Sequence, residues 1–360
     1  MEDNQYYFCK SFFIIILFSV YIIFVNYNFK IGIFIINNNL DYDLLIPSSF
    51  SDIKFFNRHK EFYKKYLNFS NIILIGDSNI NEKLSLNDTS ISFIPEDNLV
   101  PKNMINEFLM KMRAMNTSRD GWYEQQFLKM AYSKICQKEY YLVWDIDTIP
   151  IRPINMFEMN HPIFDMKTEH HIPYFDTIEN LFPGIKYNNK SYISEHMLIK
   201  TKLMRKLLFD IEENYRLPGK LFWEKILMAI EIEDINLSGF SEYETYGSYV
   251  DSKYPNYYYH RNWFSKRDTS TFFNTSENLN ENDIKWLSQD YHALSFEKWI
   301  KFEEKNLEIV KNIDLQKLYN PNIFFMNYDY MIRKNKKFNR TRNKSKNIYF
   351  EIRKYLNYYK

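Results

Sequence analysis

Two aspartates, Asp145 and Asp147, stand one residue apart in the stretch YYLVWDIDTIPIRPI, which runs from Tyr140 to Ile154. The five residues before the pair are apolar or aromatic, and prolines follow it at positions 150 and 153. This pattern predicts a buried strand that ends in a loop, and residues two apart on a strand point to the same face. At ~5 Å and an effective dielectric of ~20, two such carboxylates repel each other by ~3 kcal/mol. A cation bound at this strand end would offset that repulsion.

The chemistry of the pair favours a hard divalent cation. Mg²⁺ or Mn²⁺ is commonly held by one or two carboxylates together with the phosphates of a substrate. Such a cation also offsets the negative charge on a leaving diphosphate. Two solvated loop aspartates that cap a turn would give the same short pattern, so the pair alone leaves both interpretations open.

The segments around the pair alternate between strands and helices. The sequence predicts strands at 42–49, 71–78, 90–97 and 140–144, with helices at 51–67, 100–116 and 120–135. This order is typical of an α/β protein with an open, mostly parallel sheet, in which ligands bind beyond the carboxyl ends of the strands. Polar residues stand at the ends of three of these strands: Ser48 and Ser49, Asp77 and Ser78, and Asp145 and Asp147. The sequence therefore predicts one binding edge shared by the three strand ends.

The second half of the chain is less regular. Strands are predicted at 162–170 and 190–199, and amphipathic helices follow near 200–215 and 219–233. The sequence contains no internal repeat and no long linker. We expect residues 1–36 to form a tail and membrane anchor, residues 40–330 one catalytic-type domain, and residues 331–360 a basic tail.

The composition of the chain argues against two classes of protein: those that bind phosphate through a glycine-rich loop and those held together by disulfides. Apolar residues make up 45% and aromatic residues 19% of the 360, which is enough for a substantial core. With only 7 glycines, the sequence has neither a G-x-G-x-x-G pattern nor a P-loop. Its 2 cysteines, Cys9 and Cys136, do not form a disulfide framework or a metal-binding pattern.

An apolar stretch, SFFIIILFSVYIIFV, lies near the N-terminus at 11–25. As a helix it would cover ~22 Å, short of the ~30 Å hydrocarbon core, and extension to Ile36 adds two asparagines and Lys30. We expect an uncleaved, single-pass, type II-like anchor, with the catalytic domain lumenal or external. A cleaved signal peptide and a buried helix stay open as alternatives, although no A-x-A-like cleavage site follows.

The last thirty residues are strongly basic. Residues 331–360 contain eleven Lys or Arg and one acidic residue, Glu351, whereas the rest of the chain is mildly acidic. A basic tail of this kind could touch anionic lipid, and a solvated terminal helix is the alternative. Nothing else in the sequence suggests a nucleic-acid partner.

Four motifs in order carry a resemblance to a known class of enzymes. They are RDGWYEQQFLK (119–129), VWDIDT (143–148), SYISEHML (191–198) and SEYETYG (241–247). Together they resemble the metal-dependent glycosyltransferases of the GT-A fold, and most closely a poorly characterised family of bacterial polysaccharide-type transferases. The resemblance covers about residues 42–265. It implies a GT-A-like, Rossmann-like, mostly parallel central sheet flanked by helices, a nucleotide-sugar donor, and a glycan, polysaccharide or glycoconjugate acceptor.

The resemblance also implies roles for individual residues. Asp145 and Asp147 would bind Mn²⁺ or Mg²⁺, and His260 is a candidate third ligand because such enzymes often use a late histidine. Residues implied at the donor are Pro47, Ser48, Arg119, Trp122, Gln126 and Asp145. A solvated or core histidine and a purely structural tryptophan remain alternatives for His260 and Trp122.

An inverting transferase needs a carboxylate base near the acceptor hydroxyl. Glu242, Glu244 and Glu195 are the candidates, although the first two would also favour a helix N-terminus. Two other functions stay open. A phosphatase of the haloacid-dehalogenase type also carries D-x-D-x-[TV] after a buried strand, but Ile149 stands at the fifth position here. The other is a non-catalytic, membrane-tethered sugar-binding protein.

Overall fold

A computed structural model of the chain describes residues 41–82, 88–186, 189–298 and 300–339. The predicted membrane anchor at 1–36 lies outside these residues, as does the part of the basic tail after 339. Within the described ranges, no helix combines the length and the apolar character needed to cross a membrane.

The described residues alternate between strands and helices, as the sequence pattern predicts. In chain order the elements are β1 (Tyr42–Pro47), α1 (Ile53–Tyr66), β2 (Ile72–Gly76), β3 (Ile91–Pro95), α2 (Asn103–Arg113), α3 (Asp120–Ala131), β4 (Tyr140–Trp144), β5 (Thr148–Pro150), β6 (Phe157–Glu158), β7 (His161–Met166), α4 (Ile172–Leu181), β8 (His196–Lys200), α5 (Thr201–Glu212), α6 (Phe222–Ala229), α7 (Glu242–Lys253), β9 (Tyr259–Asn262), β10 (Ser265–Lys266), α8 (Ser270–Phe273), α9 (Glu281–Leu287), β11 (Ala293–Ser295), α10 (Glu304–Val310), α11 (Ile313–Leu318) and α12 (Pro321–Asn339).

The central sheet has five strands in the order β3-β2-β1-β4-β8. The first four pair in parallel, and β8 runs antiparallel to β4. Strands β1, β2 and β4 are buried along their whole length, which explains their nearly continuous apolar sequences. The predicted α/β fold with a mostly parallel sheet is confirmed. The carboxyl ends of β1, β2, β3 and β4 lie at one edge, where β4 ends directly before Asp145.

Two small sheets extend this edge. Strand β5, which follows the aspartate pair, joins β11 and β10, while β7 pairs with β6 and β9. The strand predicted at 190–199 is shorter in the structure, because only the end of that segment forms β8. Ser191 instead bridges Lys167, and Glu195 adopts a left-handed backbone with φ of +63°. A left-handed backbone is uncommon in residues other than glycine and lies outside the range of a regular strand, so the strand does not include Glu195.

Helix α7 packs closely against the segment before β8. Gly247 lies under the ring of the buried Tyr192, and a Cβ atom on this glycine would stand 2.3 Å from the ring carbon Cγ. The Tyr192 hydroxyl is itself bonded to Asp251 on the same helix, which restricts movement of the ring. The glycine in the motif SEYETYG is therefore explained by close packing.

We expect Gly247→Ala to lower the free energy of unfolding by about 1–3 kcal/mol, because the added methyl group overpacks the Tyr192 ring. Urea unfolding followed by circular dichroism measures this change. Gly121→Ala in α3 is the matched control, since its Cβ would lie 3.6 Å from the flexible Lys102 ammonium. That variant should be neutral or more stable by up to about 1 kcal/mol. Equal losses in both variants would contradict the packing explanation.

Candidate active site

The turn after β4 is held by backbone and side-chain hydrogen bonds. The Asp145 amide donates to the Glu195 carbonyl at 2.9 Å, and the Thr148 amide donates to the Asp145 carbonyl at 3.0 Å. Inside the turn, the Trp144 indole donates to the Thr148 carbonyl at 2.7 Å. Tyr63 on α1 donates to the Ile146 carbonyl at 3.2 Å. The two aspartates therefore stand on a fixed turn at the edge of the sheet.

A cleft of about 390 Å³ opens over this turn. Its walls come from α3, α7, the residue before β8 and the segments that flank β10 and β11. Acidic side chains predominate over basic ones, at seven to three: Asp52, Asp145, Asp147, Glu169, Glu195, Glu242 and Glu297 against Lys129, Arg267 and Lys298. The cleft therefore suits a cation together with a ligand that carries phosphate.

The excess of acidic side chains has a clear effect on the pKa of Asp147. Burial, followed by the negative charges of Asp145 and Glu297, raises the pKa of Asp147 to about 7. Its Oδ1 accepts a hydrogen bond from the Thr148 hydroxyl at 3.3 Å, which offsets only part of the cost. An added positive charge at this position would stabilise the ionised carboxylate.

Lys129 of α3 occupies the centre of the cleft wall. Its ammonium group lies 2.7 Å from Asp145 Oδ1 and 2.6 Å from Glu242 Oε1, and 3.3 Å from the Tyr243 hydroxyl. Burial alone would lower the pKa of Lys129, but the two carboxylates outweigh it and raise the pKa above that of an ordinary lysine. Lys129 thus joins the strand end to the first turn of α7. Sequence reasoning missed this role. The only signal for it in the sequence is that residues 129, 145 and 242 carry opposite charges.

Gln126 and Trp122 line the cleft one and two helical turns before Lys129. The side-chain oxygen Oε1 of Gln126 accepts a hydrogen bond from the Glu242 backbone amide at 3.1 Å. It therefore satisfies one of the backbone amides that have no partner within the helix at the start of α7. Its amide nitrogen stands 3.4 Å from the Trp122 carbonyl. The predicted i and i+4 pair therefore does face the cleft from one side of α3.

Glu195 also lines the cleft. One carboxylate oxygen accepts from the Lys167 ammonium, and the other accepts from the Trp263 indole at 3.0 Å and the Ser265 hydroxyl at 2.9 Å. Both oxygens are thus engaged by hydrogen-bond donors. Glu195 has a left-handed backbone, and its backbone carbonyl accepts from the Asp145 amide at 2.9 Å, which ties this residue to the aspartate turn. Backbone of this kind is often found at functional sites.

Glu297 is a cleft residue that sequence reasoning did not find. It follows β11, whose Ser295 pairs with Thr148, and the Phe296 amide donates to the Asp147 carbonyl at 2.8 Å. Arg267 donates to Glu297 Oε1 at 2.5 Å, whereas Oε2 is buried without a hydrogen-bond partner. Burial raises the pKa of Glu297, and Arg267 opposes that shift. Only the pairing of β5 with a strand about 145 residues later brings this acid to the aspartates, and no local pattern marks it.

Several predicted site residues lie elsewhere. His260, on β9, is 2.7 Å from Asp251 and does not line the cleft, because β9 pairs with β7 in a separate small sheet. Arg119 stacks on the Trp122 ring with its guanidinium carbon 4.5 Å from the centroid. Glu244 is buried behind the cleft.

Glu244 accepts from the Ser191 hydroxyl at 2.8 Å and from the Tyr192 amide at 3.1 Å. Burial raises the pKa of Glu244 to about 7 against these hydrogen bonds. Pro47 and Ser48 stand at the carboxyl end of β1, next to β4, where the Ser48 hydroxyl donates to the Ile46 carbonyl at 3.1 Å. Neither residue lines the cleft, while the nearby Asp52 does.

We expect Lys129→Met to lower the free energy of unfolding by about 3–5 kcal/mol, because it leaves the buried Glu242 without its cation. Combining it with Glu242→Gln should recover most of that loss, and urea unfolding of the four chains of this cycle measures the coupling. The control is Lys134→Met, since Lys134 forms an exposed pair with Glu212 at 2.9 Å. This control should cost less than about 1 kcal/mol. Additive losses in the double variant would contradict a buried ion pair.

Several solved glycosyltransferases are similar to this chain. One is the galactosyltransferase LgtC with donor and acceptor sugar analogs, at 10% identity over 71% of this chain and 86% of that one, with a TM-score of 0.36. Another is mouse xyloside xylosyltransferase 1, at 14% identity over 63% and 87%, with a TM-score of 0.37. The glycosyltransferase GlyE of Streptococcus pneumoniae matches at 9% identity over 72% and 55%, with a TM-score of 0.33.

No curated protein matches the chain significantly. A family model described as a family of unknown function, DUF6492, matches residues 55–310. Because this match covers well over half of the sequence, the chain belongs to the DUF6492 family.

Proposed function

We propose that this protein is a glycosyltransferase with a GT-A-like domain. In this proposal a sugar passes from a nucleotide-sugar donor to a hydroxyl group of a glycan, polysaccharide or glycoconjugate, with Mn²⁺ or Mg²⁺ bound. The observation that carries the proposal is the placement of Asp145 and Asp147 on a fixed turn at the end of a central parallel strand, within an acidic cleft. Anchoring through residues 11–25 and a lumenal or external active site are part of the same proposal.

The residues at the turn fit a divalent cation. Asp145 and Asp147 offer two carboxylates, and the raised pKa of Asp147 reflects negative charge that a cation would offset. Among the described residues, no group of three His, Cys, Asp or Glu side chains is arranged to hold a metal ion. Two carboxylates plus phosphate and water oxygens are a common ligand set for such ions. When bound, the cation would supply charge neutralisation to the leaving diphosphate, and His260 stays a prediction as a further ligand.

The remaining walls of the cleft suit the other parts of a donor. Arg267 and Lys298 line it beside Glu297 and provide the basic groups that phosphate oxygens need. Gln126 and Trp122 face it from α3, where an amide can bind sugar hydroxyls and an indole can stack on a ring. Pro47 and Ser48 keep their proposed role near the nucleoside, since they end the strand adjacent to β4. Arg119 would need to leave its stacking on Trp122 to reach a phosphate.

The three candidate bases differ in their surroundings. Glu195 and Glu242 line the cleft, whereas Glu244 is bonded to the segment before β8. Glu242 is paired with Lys129, and burial raises its pKa against that lysine. Glu195 accepts hydrogen bonds from three side-chain donors, which fix the position of its carboxylate in the cleft. We therefore rank Glu195 and Glu242 ahead of Glu244 as groups that touch the reacting atoms.

The other two functions have less support. The aspartate pair follows the fourth strand in the chain, and Ile149 is buried in β5 at the position where the phosphatase pattern has Thr or Val. A sugar-binding protein without catalysis would not need the ion pairs that hold Lys129, Glu195 and Asp145 in the cleft. Ionisable groups gathered in a cleft are typical of catalytic sites, which favours an enzyme.

We expect one nucleoside diphosphate among UDP, GDP, CDP and ADP to raise the thermal midpoint of unfolding only when Mn²⁺ is present. At 100 times its dissociation constant, a ligand stabilises the folded state by about 2.7 kcal/mol, enough for a shift of several degrees. Asp147→Asn and Asp145→Asn should abolish this shift, because each removes a negative charge that the cation requires. A full shift in Asp147→Asn would contradict the proposed cation site.

Asp251→Asn is the control for this experiment, and His260→Ala tests the remaining candidate ligand. Asp251 pairs with His260 outside the cleft lining. The metal-dependent shift should survive in Asp251→Asn. Loss of the shift in His260→Ala alone would instead establish His260 as a ligand and require β9 to move when the donor binds.

Steady-state kinetics with the donor identified in that way will separate the candidate bases. We expect Glu195→Gln and Glu242→Gln to lower kcat by about 10²-fold or more, in the range of general-base losses. Glu244→Gln should change kcat by less than about threefold, because its carboxylate faces Ser191 and Tyr192. A large loss of kcat in Glu244→Gln, with an unchanged thermal midpoint, would reverse this ranking.

A further inference from the structure

The final described helix, α12, has two faces with opposite environments. Phe324, Phe325 and Tyr328 are buried in a second core that also contains Ile149 and Phe296. On the opposite face, Ile323, Met326 and Tyr330 expose 48%, 71% and 52% of their surface. These three residues are spaced at i, i+3 and i+7, so they form one stripe along the helix. The stripe is therefore an apolar surface on a helix whose orientation is fixed by its buried face.

Short helix α11, which contacts α12, adds to the apolar character of this region. Ile313 and Leu318 at its two ends are exposed by 63% and 47%. Single exposed apolar residues are ordinary on protein surfaces, but several on adjoining helices mark an interaction surface. Within the first ten residues of α12 the sequence has one acidic residue, Asp329, so the stripe carries little negative charge.

The chain that follows the stripe is strongly basic. Residues 331–360 contain eleven Lys or Arg and one Glu, and α12 continues into this segment as far as Asn339. An apolar helix face that continues into basic sequence has the two features that attract a helix to the surface of an anionic bilayer. Nucleic acid would be attracted by the charge but would gain nothing from the isoleucine and methionine side chains. A second copy of the chain would meet the same concentration of positive charge.

We propose that α12 docks on an anionic lipid surface through Ile323, Met326 and Tyr330. The apolar stripe enters the boundary between headgroups and acyl chains, and the basic segment after it binds the negative headgroups. This contact is separate from the predicted anchor at 11–25, and it does not depend on the proposed transferase activity.

The test uses the full chain and a probe at the stripe, so that attachment through the N-terminal segment does not mask the result. A nitroxide label is placed at Met326→Cys in a Cys9→Ser background, since the other cysteine, Cys136, is buried. The accessibility of the label to oxygen and to a water-soluble nickel complex is measured with phosphatidylserine-containing vesicles and with pure phosphatidylcholine vesicles. A label at Ile232→Cys is the control, because Ile232 is also largely exposed, at 63%, but stands between Glu231 and Glu233.

We expect the label at 326 to move into lipid at a concentration at least about tenfold lower with anionic vesicles, since each basic residue near the surface adds attraction. The label at 232 should stay in water. Ile323→Ser, at an exposed position, should leave the thermal midpoint unchanged and raise the required lipid concentration by about tenfold or more.

Four results would overturn the proposal. The label at 326 could remain in water with anionic vesicles, or enter neutral and anionic vesicles equally. It could be shielded before lipid is added, which would indicate a second copy of the chain. It could also be immobilised by single-stranded RNA and not by vesicles, which would assign the basic segment to nucleic acid.

Discussion

The burial of one lysine between two carboxylates constrains the whole cleft. The buried Lys129 ammonium lies 2.7 Å from Asp145 and 2.6 Å from Glu242, and a buried charge without a partner is costly. Asp145 belongs to the turn after β4, Glu242 begins α7, and Lys129 lies in the last turn of α3. The ion pairs therefore hold three separate elements in one arrangement. Gln126 reinforces it one turn earlier by accepting from the Glu242 amide.

The positive charge of Lys129 is paired with Asp145 and Glu242, so it does not compensate the negative charge of Asp147. Asp145 Oδ1 is bonded to Lys129, whereas the nearest charged groups that act on Asp147 are acidic. Burial, together with these acidic neighbours, raises the pKa of Asp147. A carboxyl group perturbed in this way within a cleft is typical of a functional site.

The sequence predicted the parts of this site that depend on local pattern. Buried strands are recognisable from their apolar runs, and the aspartates follow directly where the run of β4 ends. The pair lies on a turn, so the alternation of a strand does not determine which way its side chains point. Lys129 and Glu242 were not recognised as partners, because 113 residues separate them and only packing of α3 against α7 joins them. Glu297 was missed for the same reason, since it reaches Asp147 through the pairing of β11 with β5. The role of His260 was inferred from resemblance, and the pairing of β9 with β7 places that side chain beside Asp251.

The cleft extends beyond the region covered by the four motifs. Arg267, Glu297 and Lys298 all follow residue 265, and the strand before Glu297 is held by the second core. That core includes Ile149 from β5, Leu294 from β11, and Phe324 and Phe325 from the inner face of α12. Helix α12 therefore supports the wall that brings Glu297 to Asp147, while its outer face carries the exposed stripe. A lipid contact at that outer face would act on the same rigid element, so the position of the membrane surface relative to the cleft would be set by the packing of α12.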